Sequence, residues 1–137
     1  MRALGLDRGS KRIGIALSDR SGTIASPHSV LARSGSRRRD HKAVAALVDE
    51  EQAEIVVVGL PLNMDGSQGP AARAALAEAD ALATVVGVPV VSQDERRTTV
   101  TADRAMLEAG LDARRRRRHV DKIAAAVMLQ QWLEAQR

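Results

Sequence analysis

Residues 54–61, EIVVVGLP, contain an unbroken β-branched run bounded by glycine and proline. A strand with one solvated face alternates apolar and polar residues, whereas a strand inside a parallel sheet is apolar on both faces. The run therefore predicts a central strand of a parallel sheet. Because such a sheet needs helices on both of its faces, the run indicates an α/β fold.

The segments before this run are typical of short strands. RALGLD (2–7) is mostly apolar, and RIGIALSD (12–19) alternates larger with smaller residues at the period of a strand. TIASPHSVL (23–31) contains Pro27, which suits an edge strand or the end of a strand. Together the three segments predict an opening meander.

Helices and one more strand are predicted for the rest of the chain. VPVVSQ (88–93) is the last short strand, and Asp40 is a plausible N-cap for the first helix. Four helices are predicted, at about Asp40 to Gln52, Pro70 to Gly87, Thr99 to Gly110 and Val120 to Ala135. Strands that alternate with helices pair in parallel, so this order predicts a mixed five-stranded α/β sheet with helices on both faces.

The composition limits both the core and the chemistry. With 137 residues, no Phe, no Tyr and one Trp, we expect residues 1–137 to form one domain around one compact aliphatic core. The absence of Cys excludes disulfides, thiolate zinc sites and cysteine nucleophiles. No apolar run approaches the roughly 20 residues of a membrane span, and no signal-peptide core begins the sequence. We therefore expect a cytoplasmic protein that contacts no membrane.

Basic residues are concentrated in two places, although the formal net charge is only +4. One patch is RSGSRRRDHK (33–42), and the other is the run Arg114, Arg115, Arg116, Arg117 and Arg118. Adjacent cations repel one another and favour a polyanionic partner, although a solvated loop is the alternative for the second run. Phosphate contacts of this kind are independent of base sequence and weaken steeply with salt.

Carboxylates follow the first and the last predicted strands. Asp7 ends the first strand, and Asp94 and Glu95 end the last, so parallel pairing would place them at one edge of the sheet. Asp121 lies in the first predicted turn of the last helix, within the otherwise apolar HVDKIAAAVML. A turn explains Asp7 alone, and a helix cap explains Asp121 alone. Converging carboxylates, however, repel one another unless a cation lies among them, and oxygen ligands suit Mg²⁺ or Mn²⁺.

Four segments together resemble the YqgF/RuvX family: GLDRGSKRIGIALSD (5–19), VVVGLPLNMDGSQGP (56–70), DERRTT (94–99) and VDKIAAAVMLQQWL (120–133). The resemblance covers nearly the whole chain in order. It implies a ribonuclease H-like nuclease domain whose catalytic and metal-binding residues are Asp7, Glu95 and Asp121, with Asp94 as an accessory. It also implies a metal-dependent nuclease that matures the 5′ end of the 16S ribosomal RNA precursor, with Holliday junction resolution of branched DNA as the alternative.

Basic residues near the acids are then expected to bind the substrate. Lys11, Arg12 and Arg96 lie close to the acids in sequence, and together with the run 114–118 we expect them to contact nucleic-acid phosphates. RNA and DNA present the same phosphates, so the substrate stays open at this point. A ribosomal particle is a further expected partner, and the chain is expected to be a monomer or a noncovalent homodimer.

Two alternatives come from other classes of protein. A nucleotide-binding domain of the actin and sugar-kinase type also has a phosphate loop on its first hairpin, but that architecture clasps ATP between two domains and this chain has the length of one. A non-catalytic RNA-binding factor of ribosome assembly would keep the fold and the basic patches. The presence of all three acids favours catalysis, and a substitution of Asp7 separates a catalyst from a binding module.

Overall fold

The computed structural model describes residues 1–96 and 113–136, with side chains throughout both ranges except at 113–119. In chain order the described elements are β1 (Ala3–Arg8), β2 (Arg12–Ser18), β3 (Ala25–Ala32), α1 (Arg37–Glu50), β4 (Ile55–Leu60), α2 (Pro70–Ala83), β5 (Val90–Asp94) and α3 (Ala113–Ala135). The helix predicted for Thr99 to Gly110 lies outside the described residues. None of the helices in the described part of the chain is both long and apolar enough to cross a membrane.

The strands form one mixed sheet in the order β3-β2-β1-β4-β5. β2 pairs antiparallel with both β1 and β3, whereas β4 pairs parallel with both β1 and β5. The predicted five-stranded mixed sheet and its opening meander are therefore confirmed. Since β1, β3, β4 and β5 all run in the same direction, their carboxyl ends meet at one edge of the sheet.

Successive side chains of the central strands enter two apolar clusters, one on each face of the sheet. On one face Leu4 packs with Val44 of α1 and Leu82 of α2. On the other face Ala3 packs with Leu129 of α3. Helices cover both faces as predicted, but the sheet divides what was expected as one core into two clusters.

Helix α1 begins at Arg37, so the predicted N-cap at Asp40 is wrong. Ser36 is the N-cap, and its hydroxyl accepts a hydrogen bond from the Arg39 N–H at 3.2 Å. Asp40 is buried in the first turn, where its carboxylate accepts hydrogen bonds from the N–H and the hydroxyl of Ser34 at 3.0 and 2.8 Å. Serine and aspartate are equally good caps, so the local pattern did not distinguish them.

Helix α2 begins at Pro70 as predicted but ends at Ala83, before the predicted stop at Gly87. Thr84 caps this end, since its N–H and its hydroxyl both donate to the Ala81 carbonyl, at 3.2 and 2.7 Å. Bonds to the third residue back tighten the last turn and close the helix.

The last helix is described from Ala113, so the predicted start at Val120 is wrong. The basic run 114–118 therefore lies in α3 and not in a loop, in keeping with the high helix propensity of arginine. Asp121 consequently lies at least two turns inside the helix. Its interpretation as an N-terminal cap is excluded.

Candidate active site

Asp7 and Glu95 meet at the edge of the sheet where the parallel strands end. Asp7 is the penultimate residue of β1, and Glu95 directly follows β5. The Glu95 N–H donates to the carbonyl of Leu60 at the end of β4, at 3.1 Å. The two carboxyl groups are partly buried and share a hydrogen bond. The structure thus brings two of the three predicted acids into direct contact.

One proton is shared within this pair. Burial raises the pKa of Glu95 to about 8, and the hydrogen bond with Asp7 and the charges of Asp7 and Asp94 act in the same direction, against the charge of Arg8. Burial also raises the pKa of Asp7; the hydrogen bond with Glu95 opposes this rise and the charge of Asp121 adds to it. The raised pKa of Glu95 favours a protonated carboxyl that donates to the Asp7 carboxylate. A partly buried carboxyl pair that holds a proton in this way is suited to holding a cation instead.

Gly59 of β4 provides the space for the Glu95 carboxylate. A Cβ on Gly59 would overlap Glu95 Oε2 and would lie 3.0 Å from Cδ of the same carboxyl. The sequence contained a signal for this contact, because glycine within a buried strand often marks the close approach of another group. The identity of that group depends on the fold and was not predicted.

Asp121 projects from α3 toward the hairpin formed by β1 and β2. Its Oδ2 accepts a hydrogen bond from Arg12 Nε at 2.8 Å. Its charge is close enough to Asp7 to raise the pKa of that carboxyl. Gly14 lies opposite Asp7 in the β1–β2 ladder, and a Cβ on Gly14 would overlap the backbone carbonyl of Asp121. The absence of a side chain at Gly14 therefore lets helix α3 approach the sheet closely beside the first acid.

The three acids differ in how well they suit a metal. Within residues 1–96 and 113–136, no three His, Asp or Glu side chains form a cluster that could hold a metal ion. Asp7 and Glu95 fit a divalent ion by their chemistry, as adjacent, partly buried oxygen donors with raised pKa values. Asp121 lies beside them, but Arg12 holds its carboxylate. The structure thus shows a carboxyl pair and a neighbouring ion pair.

The basic residues predicted to bind substrate occupy different surroundings. Lys11 is exposed at the hairpin tip, and its ammonium group makes no hydrogen bond or ion pair with any described residue. The guanidinium of Arg96 is bound to Asp94, with Nε and Nη2 donating to Oδ2 at 2.8 and 2.7 Å, and Nη1 donates to the Met64 carbonyl at 3.1 Å. Arg96 and Asp94 thereby hold the loop after β4. For the run 114–118, the described part is the α3 backbone.

A buried ionic network lies behind the hairpin on the opposite face of the sheet. Arg8 Nε donates to Glu78 of α2, and both terminal nitrogens of Arg33 donate to Glu78 Oε1 at 3.2 Å. Arg33 Nε also donates to the Gly9 carbonyl at 2.7 Å, and His41 Nε2 lies 3.3 Å from Glu78 Oε1. The network joins β1, the hairpin turn, β3 and α1 to α2. Sequence reasoning missed it, although an acid on the apolar face of α2 was a signal.

The sequence matches the family described as RuvX: Holliday junction resolvase over residues 1–135. The chain belongs to this family. A Myxococcus xanthus relative named "Putative pre-16S rRNA nuclease" is 47% identical over 137 residues, covering 100% of this chain and 90% of the relative. An Anaeromyxobacter relative of the same name is 49% identical over 134 residues, covering 98% of this chain and 97% of the relative. The family inferred from the four sequence motifs is therefore confirmed.

Solved structures confirm the fold of this RuvX-family chain. RuvC from Thermus thermophilus in complex with a Holliday junction substrate superposes with a TM-score of 0.61 at 21% identity, over 99% of this chain and 96% of RuvC. A second T. thermophilus RuvC structure gives a TM-score of 0.59 at 19% identity, with the same coverage. At these identities the likeness concerns the fold, and it confirms the predicted ribonuclease H-like α/β architecture.

Proposed function

We propose that this chain is a divalent-metal-dependent nuclease that hydrolyses phosphodiester bonds in structured nucleic acid and processes the 5′ end of the 16S ribosomal RNA precursor. The observation that carries the proposal is the partly buried, hydrogen-bonded pair of Asp7 and Glu95 at the carboxyl edge of the sheet. The names of the Myxococcus and Anaeromyxobacter relatives support the choice of RNA. The chain acts as one cytoplasmic nuclease domain over residues 1–137, as a monomer or a noncovalent homodimer, on RNA alone or in a ribosomal particle.

Asp7, Glu95 and Asp121 would hold the Mg²⁺ or Mn²⁺, with Asp94 as an accessory. A divalent ion bound there supplies Lewis-acid activation of water and stabilises charge on the leaving oxygen. Glu95 must give up its proton to act as a ligand, so occupancy of the site rises with pH. The contact between Gly59 and the Glu95 carboxylate keeps that carboxylate beside Asp7.

Arg12 has two potential partners in this mechanism. In the free protein it binds Asp121, and its side chain is 52% exposed, so a phosphate can reach it. When nucleic acid binds, Arg12 exchanges the carboxylate for a backbone phosphate, which frees Asp121 to join the other two acids. Lys11 and the run 114–118 contribute further phosphate contacts that position the substrate.

Cleavage of two substrates side by side tests this proposal. Purified wild type and Asp7→Asn protein are incubated with a 5′-extended 16S precursor transcript and with a four-way DNA junction, in Mg²⁺, Mn²⁺ or EDTA. We expect metal-dependent cutting of the transcript by wild type and none by Asp7→Asn, which still binds. Absence of cutting, together with salt-sensitive binding by both proteins, would instead indicate a non-catalytic assembly factor.

Resolution of Holliday junctions is the second candidate function. The family description and the shared fold with RuvC favour it. In the same assay, preferential and symmetrical cutting of the DNA junction would replace the RNA-processing proposal with this one, while leaving the proposed acids in place.

A further inference from the structure

The β1–β2 hairpin has a second basic surface, on the face of the sheet that carries α1. A cleft of about 460 Å³, here called the hairpin cleft, is lined by Ser10, Lys11, Arg33, Gly35, Arg37 and Asp40. It opens at the same sheet edge as the acids, because the Arg33 N–H donates to the Lys11 carbonyl at 2.9 Å where β3 ends beside the hairpin. The acids face α3 and the cleft faces α1, so the hairpin separates the two sites.

The hairpin cleft carries net positive charge. The Asp40 carboxylate is buried and bound by Ser34, and the Arg33 guanidinium is bound by Glu78. Lys11 and Arg37, in contrast, are exposed, and neither side chain forms a hydrogen bond or ion pair with another described residue. Two unneutralised cations therefore border a cleft whose remaining charges are already paired.

The position of Arg37 at the start of α1 does not stabilise the fold. Arg37, Arg38 and Arg39 occupy the first turn of α1, and their exposed side chains have no acidic partner among the described residues. A cation at a helix N-terminus opposes the helix dipole, whose positive end lies there. An anion held between Arg37 and Lys11 would offset this repulsion.

Buried contacts hold the two sides of the cleft in place. Arg33 Nε donates to the Gly9 carbonyl at 2.7 Å, which ties the hairpin turn to the end of β3. Glu78 contacts Arg33 and also His41 in the first turns of α1. The ionic network thus fixes the backbone segments that carry Lys11 and Arg37 relative to each other.

We propose that the hairpin cleft binds a backbone phosphate of the nucleic-acid substrate, through Lys11 and Arg37. The scissile phosphate lies beside Asp7 on the α3 face, and the second phosphate lies on the α1 face. A nucleic acid that contacts both faces passes around the hairpin tip, and a folded or branched substrate can do so with two separate backbone segments. The inference deepens the proposed nuclease function and rests on it for the class of ligand.

The salt dependence of binding tests the two cations. In the Asp7→Asn protein, affinity for an RNA hairpin with a 5′ single-stranded extension is measured across a salt series. Lys11→Gln and Arg37→Gln should each reduce the slope of log K against log salt by about 0.7–0.9, and the double variant by the sum. Arg20→Gln, which removes an exposed charge at the far end of the sheet, should leave the slope unchanged.

If Lys11→Gln and Arg37→Gln both behave as Arg20→Gln does, the inference is wrong. The three altered side chains are exposed, so the variants are expected to fold as wild type does. The nuclease proposal is tested separately, by measuring cleavage with the wild-type protein. Reduced slopes without cleavage would support phosphate binding at the hairpin cleft and contradict the nuclease proposal. Cleavage with unchanged slopes would support the nuclease proposal and contradict phosphate binding at the cleft.

A tethered probe tests where the nucleic acid runs. Because the chain contains no Cys, Ser10→Cys gives one attachment point for an iron–EDTA cleavage reagent at the hairpin cleft. We expect backbone cuts in a segment of the RNA hairpin that is separate from the site of enzymatic cleavage. Ser26→Cys, exposed near the start of β3, is the matched control. Cuts no stronger than those from Ser26→Cys would overturn the proposed path.

Discussion

The backbone carbonyl of Asp121 lies where a side chain on Gly14 would be. Gly14 also faces Asp7 across the β1–β2 ladder. The glycine therefore permits the close approach of α3 at the position where the third acid must come near the first. The geometry of the candidate site therefore depends on a glycine at position 14 as well as on the acids.

We predict that Gly14→Ala destabilises the protein by about 1–3 kcal/mol, the usual cost of forcing extra volume into a packed contact. The added Cβ would meet backbone atoms of α3, which cannot rotate away as a side chain could. The free energy of unfolding in urea measures the effect. Gly87→Ala is the control, because a Cβ there has nothing within 4 Å. Equal stability of the two variants would contradict the close approach of α3.

Gly59→Ala should affect cleavage more than stability. Here the added Cβ meets the carboxylate of Glu95, the far end of a side chain that can move aside. We therefore expect a smaller loss of unfolding free energy than for Gly14→Ala. We expect metal-dependent cleavage to fall by about 100-fold, because a displacement of roughly 1 Å in a catalytic group has that effect. Wild-type cleavage by this variant would show that the position of Glu95 is not critical.

Glu78→Gln tests the buried network. Burial opposes ionisation of Glu78, but the hydrogen bond and charge of Arg8 and the charge of Arg33 outweigh it, so the pKa of Glu78 is lowered from 4.5. A lowered pKa in the folded protein gives stability that is present above 4.5 and lost as the pH falls below it. We predict a loss of about 3 kcal/mol at pH 7, because two partly buried arginines lose their partner.

Urea titrations of wild type and Glu78→Gln between pH 7 and pH 3 check both parts of this prediction. The difference in unfolding free energy should be largest near pH 7 and should shrink below the ordinary glutamate pKa of 4.5. Asp80→Asn removes an exposed acid from the same helix and should change little. If the difference in unfolding free energy between wild type and Glu78→Gln is constant with pH, the lost stability comes from packing and not from the charge of Glu78.

Arg12→Gln is expected to affect metal and nucleic acid in opposite directions. Removal of the guanidinium frees the Asp121 carboxylate, so Mn²⁺ should bind more tightly to the free protein. The same change removes a phosphate contact, so the salt slope of nucleic-acid binding should fall by about 0.7–0.9. Calorimetry with Mn²⁺ and a binding series in salt measure the two effects. Weaker Mn²⁺ binding would show that Arg12 does not compete for Asp121.

The sheet was predictable because its signals are local. The apolar run at 54–61 and the alternation in β2 each report burial of their own strand, and the order of elements then fixes which strand ends meet. The placement of Asp7 and Glu95 at one edge followed from that order alone. Helix ends were less predictable, because Ser36 and Asp40 are equally good caps and the contacts of Asp40 with Ser34 decided between them.

The partners of the charged residues were not predictable from local pattern. Arg12 and Asp121 are 109 positions apart, and Arg8 and Glu78 are 70 apart, so the fold alone brings them together. The basic run 114–118 was open to a loop interpretation because repulsion between adjacent cations disfavours order, whereas the helix propensity of arginine favours α3.

Cleavage by single acid variants shows whether Asp7, Glu95 and Asp121 act as metal ligands. Asp7→Asn, Glu95→Gln and Asp121→Asn are compared with wild type and Asp80→Asn on the 16S precursor transcript in Mn²⁺, with binding measured in parallel. We predict that each of the three binds the transcript but cleaves more than about 100-fold more slowly, since loss of merely an outer partner of a metal site costs roughly 10–100-fold. Cleavage at the wild-type rate by any of the three would contradict its assignment as a ligand.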